Sequence, residues 1–239
     1  RSSGPAGSSV CWYGERPMAE RIAAVIFDLD GVLVDSETLQ LAAWQRYVEQ
    51  WDRALPPDLL PRLFGRRLVD AARIIVEELG LPVAPEEAAR ERDALFLASL
   101  PGNVRPMPGA RELVTALRER GLPLGLATSG HRRYVELVLD ELGLREAFTA
   151  VVTGDDVARG KPAPDCYLLA ASRLGIVPAA GVAIEDAPLG VAAARAAGLR
   201  CIAVPNAHTA HLDGLAAADA VLPGLDAVLP WLEAHGWIG

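Results

Sequence analysis

The chain is almost without lysine. Of 23 basic side chains in 239 residues, only Lys161 is a lysine and all others are arginine. An ammonium and a guanidinium differ in shape and hydration. A sequence that avoids lysine elsewhere and places one in Gly160-Lys161-Pro162 therefore points to a local need for a compact ammonium. Aromatic residues are also scarce, at 5%. Cysteine is confined to Cys11, Cys166 and Cys201, an odd count without metal-like spacing. That argues against a disulfide framework or a thiolate metal site. Cys166 in a helical pattern and Cys201 in an apolar run read as buried free thiols of a reducing cytoplasm.

Other absences narrow the function. No apolar run approaches the ~20 residues that span a bilayer, and the N-terminal stretch lacks the basic-then-apolar layout of a secretory signal. A membrane partner is not expected, and a cytoplasmic location is. The formal net charge is −8, and no arginines gather into a stripe. Nucleic-acid binding, which rests on cationic contacts to a phosphate backbone, is not expected either. Small anions remain open as ligands where a few cations are locally placed.

What is present is an ordinary globular composition, 51% apolar and 23% charged, long enough to bury a sizeable core. Residues 1–17 are rich in Gly, Ser and Pro without a period. They read as a disordered leader or an appended expression segment running to about residue 20, with Met18 as the natural start. Ile22–Phe27 is a continuous apolar run ending in Asp28-Leu29-Asp30-Gly31, as expected of a strand buried on both faces. Helical patterns follow at Ser36–Trp51, Pro57–Phe64, Leu68–Leu79 and Pro85–Leu100, with no convincing strand among them. From Ala110 helices and strands alternate. Strands are predicted near Leu122–Ala127, Ala150–Thr153, Val182–Ile184, Arg200–Val204 and Ala220–Leu222. The helices between and after them are Ala110–Arg120, Arg132–Leu142, Asp165–Leu174, Val191–Ala197 and Leu225–His235. The expected fold class is α/β, a doubly wound parallel sheet with a helical insert after the first strand. Residues 21–35 and 106–239 would form the core and 36–105 the insert.

Ligands of such sheets bind beyond the carboxyl ends of the strands. The polar residues there are Asp28 and Asp30; Thr128-Ser129-Gly130; Thr153-Gly154-Asp155-Asp156 leading to Lys161; and Glu185-Asp186. Taken singly, each has a plain alternative. Asp-x-Asp is common in turns and helix caps, Thr128 and Ser129 suit the start of the following helix, and Asp155 and Asp156 suit a turn or the orientation of Lys161. The four histidines lack metal-like spacing and are expected on surface loops or helix ends.

The full string Phe-Asp-Leu-Asp-Gly-Val-Leu-Val-Asp-Ser resembles the first motif of the haloacid dehalogenase superfamily, phosphatase branch. The resemblance runs from Arg21 to about Gly224, with Thr128, Lys161 and Glu185-Asp186 matching the second, third and fourth motifs in order. It implies an aspartyl-phosphate phosphatase in which Asp28 attacks phosphorus and Asp30 serves as acid and base. Thr128, Ser129 and Lys161 would hold phosphoryl oxygens or offset charge. It implies Mg²⁺ held by Asp28, the Asp30 carbonyl and Asp186, with Glu185 contributing directly or through water. The substrate would be a small phosphorylated metabolite, sugar phosphates first, and the enzyme a monomer.

The insert resembles the four-helix cap of the β-phosphoglucomutase-like branch, with hinges near Val34–Ser36 and Arg105–Pro108. Arg66 and Arg67 stand where cap residues of that branch face the site, which leaves either a ligand for a second polar group or an exposed helix start. Mutases of the branch carry His where Gln40 stands and Arg where Leu68 stands, so the resemblance favours a phosphatase over a hexose-phosphate mutase. Ala187 replaces the usual hydroxyl after the acidic pair. A carbon–halogen hydrolase, whose relatives lack an acid at the position of Asp30, and a phospho-accepting signalling module rank lower.

Overall fold

The computed structural model describes residues 21–63 and 65–239. Cys11, Met18, Phe64 and the expected leader lie outside the described residues. Six strands form one parallel sheet: β1 (Ala24–Phe27), β2 (Leu124–Ala127), β3 (Ala150–Val152), β4 (Gly181–Glu185), β5 (Arg200–Ala203) and β6 (Ala220–Val221). Their spatial order is β3-β2-β1-β4-β5-β6, so the order reverses at β1. That is the switch point where a crevice opens beyond the strand ends.

Alternation along each strand feeds two cores. Val25 and Phe27 of β1, Leu124 and Leu126 of β2, and Val182 and Ile184 of β4 enter one apolar cluster. Ile26, Ala127, Ala183 and Cys201 enter the cluster on the opposite face. Both faces are covered by helices, which explains the uninterrupted apolar runs of the central strands. One layer contains α5 (Ala110–Glu119), α6 (Arg132–Leu142) and α9 (Val228–Ala234); the other contains α7 (Asp165–Arg173) and α8 (Pro188–Ala196). Cys166 and Cys201 are free and buried.

Between β1 and α5 the chain makes α1 (Glu37–Glu49), α2 (Leu60–Leu63), α3 (Leu68–Leu79) and α4 (Pro85–Ser99). These helices have a core of their own, built on Trp44, Tyr47, Val48, Ala72, Ile75 and Ala88. The chain leaves and re-enters the sheet region along adjacent paths. Asp35 N–H donates to Arg105 O at 2.9 Å and Met107 N–H to Leu33 O at 3.1 Å, beside a bridge between Val34 and Pro106.

Element boundaries differ from the sequence expectation where local chemistry intervenes. The stretch expected as one helix over Pro57–Phe64 divides into a 3-10 turn, Pro57–Leu59, and the short α2. Pro61 falls in the first turn of α2, where its missing N–H would have no partner in any case. The last helix likewise starts as a 3-10 turn at Leu225–Ala227, and Pro230 lies in the first turn of α9. Helix α8 begins at Pro188, three residues before the expected start, because proline is well placed at a first helical position.

Phe27 is fully buried and meets Phe148 edge-on, with ring centroids 6.1 Å apart. Replacing it with alanine would remove the aromatic plug between β1 and the helix layer. Phe27→Ala is expected to cost about 3–5 kcal/mol, read as a lower urea midpoint at unchanged m-value.

Candidate active site

The carboxyl ends of β1, β2 and β4 and the loop after β3 converge on one crevice. Asp28 follows β1 directly and is buried, while the next side chain, Leu29, turns into the core. Glu185 is the last residue of β4, and Asp186 follows it; both are buried. Ligand oxygens of Asp28, Glu185 and Asp186 lie within 4.8 Å of one another.

Lys161 enters from the loop after β3 and is itself 5% exposed. Its Nζ donates to Asp28 Oδ1 at 2.8 Å and to Glu185 Oε1 at 2.6 Å, and it sits 5.0 Å above the Tyr167 ring. Tyr167 Oη donates to the same Glu185 oxygen at 2.5 Å. Burial works against the ammonium, yet the charges of Asp28 and Glu185 outweigh it and hold the Lys161 pKa above its ordinary value. One ammonium among three buried acids leaves excess negative charge. Burial, against the pull of Lys161 and aided by Glu185 and Asp30, pushes the Asp28 carboxyl up to about 8. Burial also drives Asp186 well above its usual range, reinforced by Glu185, Asp28 and Glu37.

Such a cluster fits a hard divalent cation. The donors are carboxylate oxygens, they are close together, and their charge is only partly offset. Gly31 faces the cluster at φ +76°, where a side chain would be strained. A Cβ there would also overlap the carboxylates of Asp186 and Glu37. Gly190, at the start of α8, gives Glu185 its room in the same way, since a Cβ would overlap the Glu185 carboxylate.

The remaining expected residues occupy the rim. Asp30 Oδ1 accepts from Ser36 Oγ and from Tyr134 Oη, the latter at 2.5 Å. Thr128 Oγ1 accepts from Gly130 N–H at 3.0 Å, and Ser129 Oγ donates to Gly65 O of the insert at 2.8 Å. Neither caps the following helix, which corrects that part of the expectation. His131 caps α6, its Nδ1 accepting from Tyr134 N–H at 3.3 Å. The Thr128–Gly130 turn spends these hydroxyls before the helix begins.

Asp155 and Asp156 belong to a turn, not to Lys161. Asp156 forms a capping box with Thr153 and binds Arg132 and Arg173. Arg66 lines the crevice with its Nε donating to Arg62 O at 2.7 Å. Arg67 faces away from it, donating to Asp70 and to the carbonyl of Ala158.

Several site residues escaped sequence reasoning. Asn206 Nδ2 donates to Glu37 Oε1 at 2.7 Å and to Asp186 Oδ2 at 3.0 Å, tying the insert's first helix to an acid of the cluster. It follows β5, and the rule that located the other strand ends could have found it. Tyr134, Tyr167 and Arg92 carried no such signal, because at helical spacing the tyrosines read as packing residues and the arginine as a solvated one.

The family follows from comparison with known proteins. The model of the haloacid dehalogenase-like hydrolases matches residues 22–198. The chain belongs to this family. It is 35% identical over 203 residues to validoxylamine A 7'-phosphate phosphatase of Streptomyces hygroscopicus subsp. limoneus, covering 85% of this chain and 94% of that protein. It is also 35% identical to fructose-1-phosphate phosphatase YqaB of Escherichia coli, covering 78% and 98%. Among solved structures, CbbY of Rhodobacter sphaeroides in complex with phosphate aligns with a TM-score of 0.76 at 29% identity, over 85% of this chain and 95% of that one. β-Phosphoglucomutase of Clostridium difficile aligns with a TM-score of 0.80 at 21% identity, over 90% and 97%, and supports the fold. The chain is an enzyme of the family's phosphatase branch.

Buried acids with raised pKa values have a consequence for stability. Between the ordinary carboxylate range and about pH 8, folded chain without a divalent cation keeps a proton on Asp28 that unfolded chain has released. Stability therefore falls as pH rises through that window. In chelator, the melting temperature is expected to be lower at pH 8 than at pH 5.5; Mg²⁺ should raise it at pH 8, and Asp28→Asn should flatten the decline.

Proposed function

We propose that this enzyme is a Mg²⁺-dependent phosphatase of small phosphorylated metabolites, sugar phosphates being the first class to test, working through an aspartyl-phosphate on Asp28. The observation that carries the reading is the cluster of Asp28, Glu185 and Asp186 with Lys161 at 2.8 Å from the Asp28 carboxylate, at the sheet's switch point. Asp28 and Asp186, with the Asp30 carbonyl, would hold the cation. Glu185 gives Oε1 to Lys161 and Tyr167, which leaves it a supporting share. A bound Mg²⁺ would supply charge neutralisation between an anionic nucleophile and an anionic ester.

An Asp28 oxygen attacks phosphorus as the bond to the leaving oxygen breaks, and Asp30 gives that oxygen its proton. Asp30 then takes a proton from water, which attacks the phosphoryl group and frees phosphate and Asp28. Ser36 and Tyr134 both bind Asp30 Oδ1, so Oδ2 is the oxygen left to exchange the proton. Thr128 and the Ser129 N–H line the approach of the phosphoryl oxygens, and Lys161 orients the Asp28 carboxyl and favours its charged form alongside a bound cation. The helical insert acts as a cap, moving on the paired connections at Asp35 and Met107 and excluding water when closed. Arg66 stands on the cap side of the crevice as a contact for the substrate's distal part.

A mutase would need a second proton carrier from the cap. Gln40 stands where that branch has His, and its amide, bonded to Arg92, cannot titrate. We assign the enzyme to the cytoplasm as a monomer with no membrane or nucleic-acid partner. Among the described residues no helix is long and apolar enough to cross a membrane.

Hydrolysis of 4-nitrophenyl phosphate should require Mg²⁺ and fall to background in Asp28→Asn. Absence of phosphate release from a broad panel of phosphometabolites would overturn the reading. Isomerisation of β-glucose 1-phosphate with little net phosphate release would establish the mutase instead. Tyr134→Phe removes one hydrogen bond to the Asp30 carboxyl and is expected to lower kcat by roughly 10-fold with little change in KM.

A further inference from the structure

The crevice has a second half that the phosphoryl chemistry does not use. Beyond Asp28 and Asp30 it extends under the insert, within a crevice of about 120 Å³ in all. Its wall there is largely apolar, made by Leu41, Trp44, Leu63, Leu68, Ala71 and Phe96, with Gln40 and Asp93 beside them. Set into that wall is Arg92 of α4, only 2% exposed. Its guanidinium carbon lies 5.0 Å from the Trp44 ring centroid and 4.8 Å from that of Phe96.

The hydrogen bonding of Arg92 is incomplete. Nη2 donates to both oxygens of Gln40, the backbone one at 2.7 Å. Nε is buried without a partner among the described residues. No ion pair involving Arg92 occurs among them either. The adjacent acid, Asp93, gives its Oδ1 to His131 Nε2 at 2.9 Å. Burial lowers the Arg92 pKa to about 10, which leaves the group cationic at neutral pH. The charges of Asp93 and Asp30 pull against that burial without overcoming it, and a guanidinium is shaped to receive a planar carboxylate.

We propose that Arg92 and its aromatic shelf form a subsite for a carboxylate on the leaving group, so that the preferred substrates are phosphomonoesters joining an apolar or aromatic skeleton to a carboxylate. This rests on the phosphatase reading above and narrows it. A carboxylate fits better than a second phosphate, because one guanidinium in an apolar wall balances a single charge. Arg66, the other arginine of the crevice, turns its Nε back to Arg62 O.

The test compares 4-carboxyphenyl phosphate with its neutral isostere, 4-carbamoylphenyl phosphate, in the Mg²⁺-loaded full chain. A charge-assisted contact predicts a kcat/KM preference for the carboxylate of roughly 10- to 100-fold, carried mainly by KM. Arg92→Gln should bring the two substrates to parity, through a loss on the carboxylate ester roughly 10-fold or more larger than on the carbamoyl ester. Equal loss on both esters in Arg92→Gln would mean that Arg92 only ties α4 to α1, and would overturn the subsite. Parity in the wild type, or a stronger preference for a bisphosphate, would overturn it too. If Arg92→Gln does not fold, the wild-type ratio decides, together with stronger competitive inhibition by 4-hydroxybenzoate than by 4-hydroxybenzamide. Hydrolysis of neither ester nor of 4-nitrophenyl phosphate would sink the phosphatase reading itself; hydrolysis without discrimination sinks only the subsite.

Discussion

The architecture of the site depends on one buried ammonium. Lys161 Nζ bridges Asp28, at the end of β1, and Glu185, at the end of β4. These strands are hydrogen-bonded neighbours, with Phe27 opposite Ile184, so the sheet register brings the two acids together. Without the ammonium, parallel pairing would force like charges into a water-poor crevice. An arginine would not serve equally, because the ammonium puts several donors on one compact atom that reaches both carboxylates, whereas a guanidinium spreads its donors over a planar fork. This accounts physically for the single exception in a chain that otherwise uses arginine.

Around that pair the structure repeatedly gives up side-chain volume to charge. Gly31 and Gly190 make space for the Asp186, Glu37 and Glu185 carboxylates. Asn206 then joins Asp186 to Glu37, the first residue of the insert's first helix. The acid cluster and the insert are thus mechanically linked at the point where the chain crosses between them. Ser129 to Gly65 O and His131 to Asp93 join the two regions along the crevice, and Arg67 to Ala158 O joins them outside it. Apolar packing joins them as well: Ala43, Phe96 and Leu100 of the insert belong to the same cluster as Phe27 and Tyr134, beside the insert's own core.

The sheet and most helices were legible because their signals are local. Apolar runs such as Ala24–Phe27 and amphipathic spacing as in Arg132–Leu142 record burial directly in the order of residues. The acids at strand ends were legible for a related reason, since a charged residue straight after a doubly buried strand has few places to go. Tyr134 and Arg92 were not legible. Tyr134 packs against Phe96 with its hydroxyl on Asp30, and in the sequence it is simply an apolar-face residue of a helix. Arg92 sits among alanines and acids in Pro85–Ser99, where an arginine ordinarily faces solvent.

The order of residues alone determined the family, the alternation of strands and helices, and which acidic and basic groups stand at strand ends. Those features follow from local periodicity and from short motifs whose members are near one another in the chain. Tertiary structure decided which of these groups share an oxygen or a proton, and what faces them from the insert. A hydroxyl on Asp30 from residue 134, or a guanidinium against Trp44 from residue 92, depends on how separately folded layers dock. That docking is set by the packing of whole helices, which no short stretch of sequence encodes.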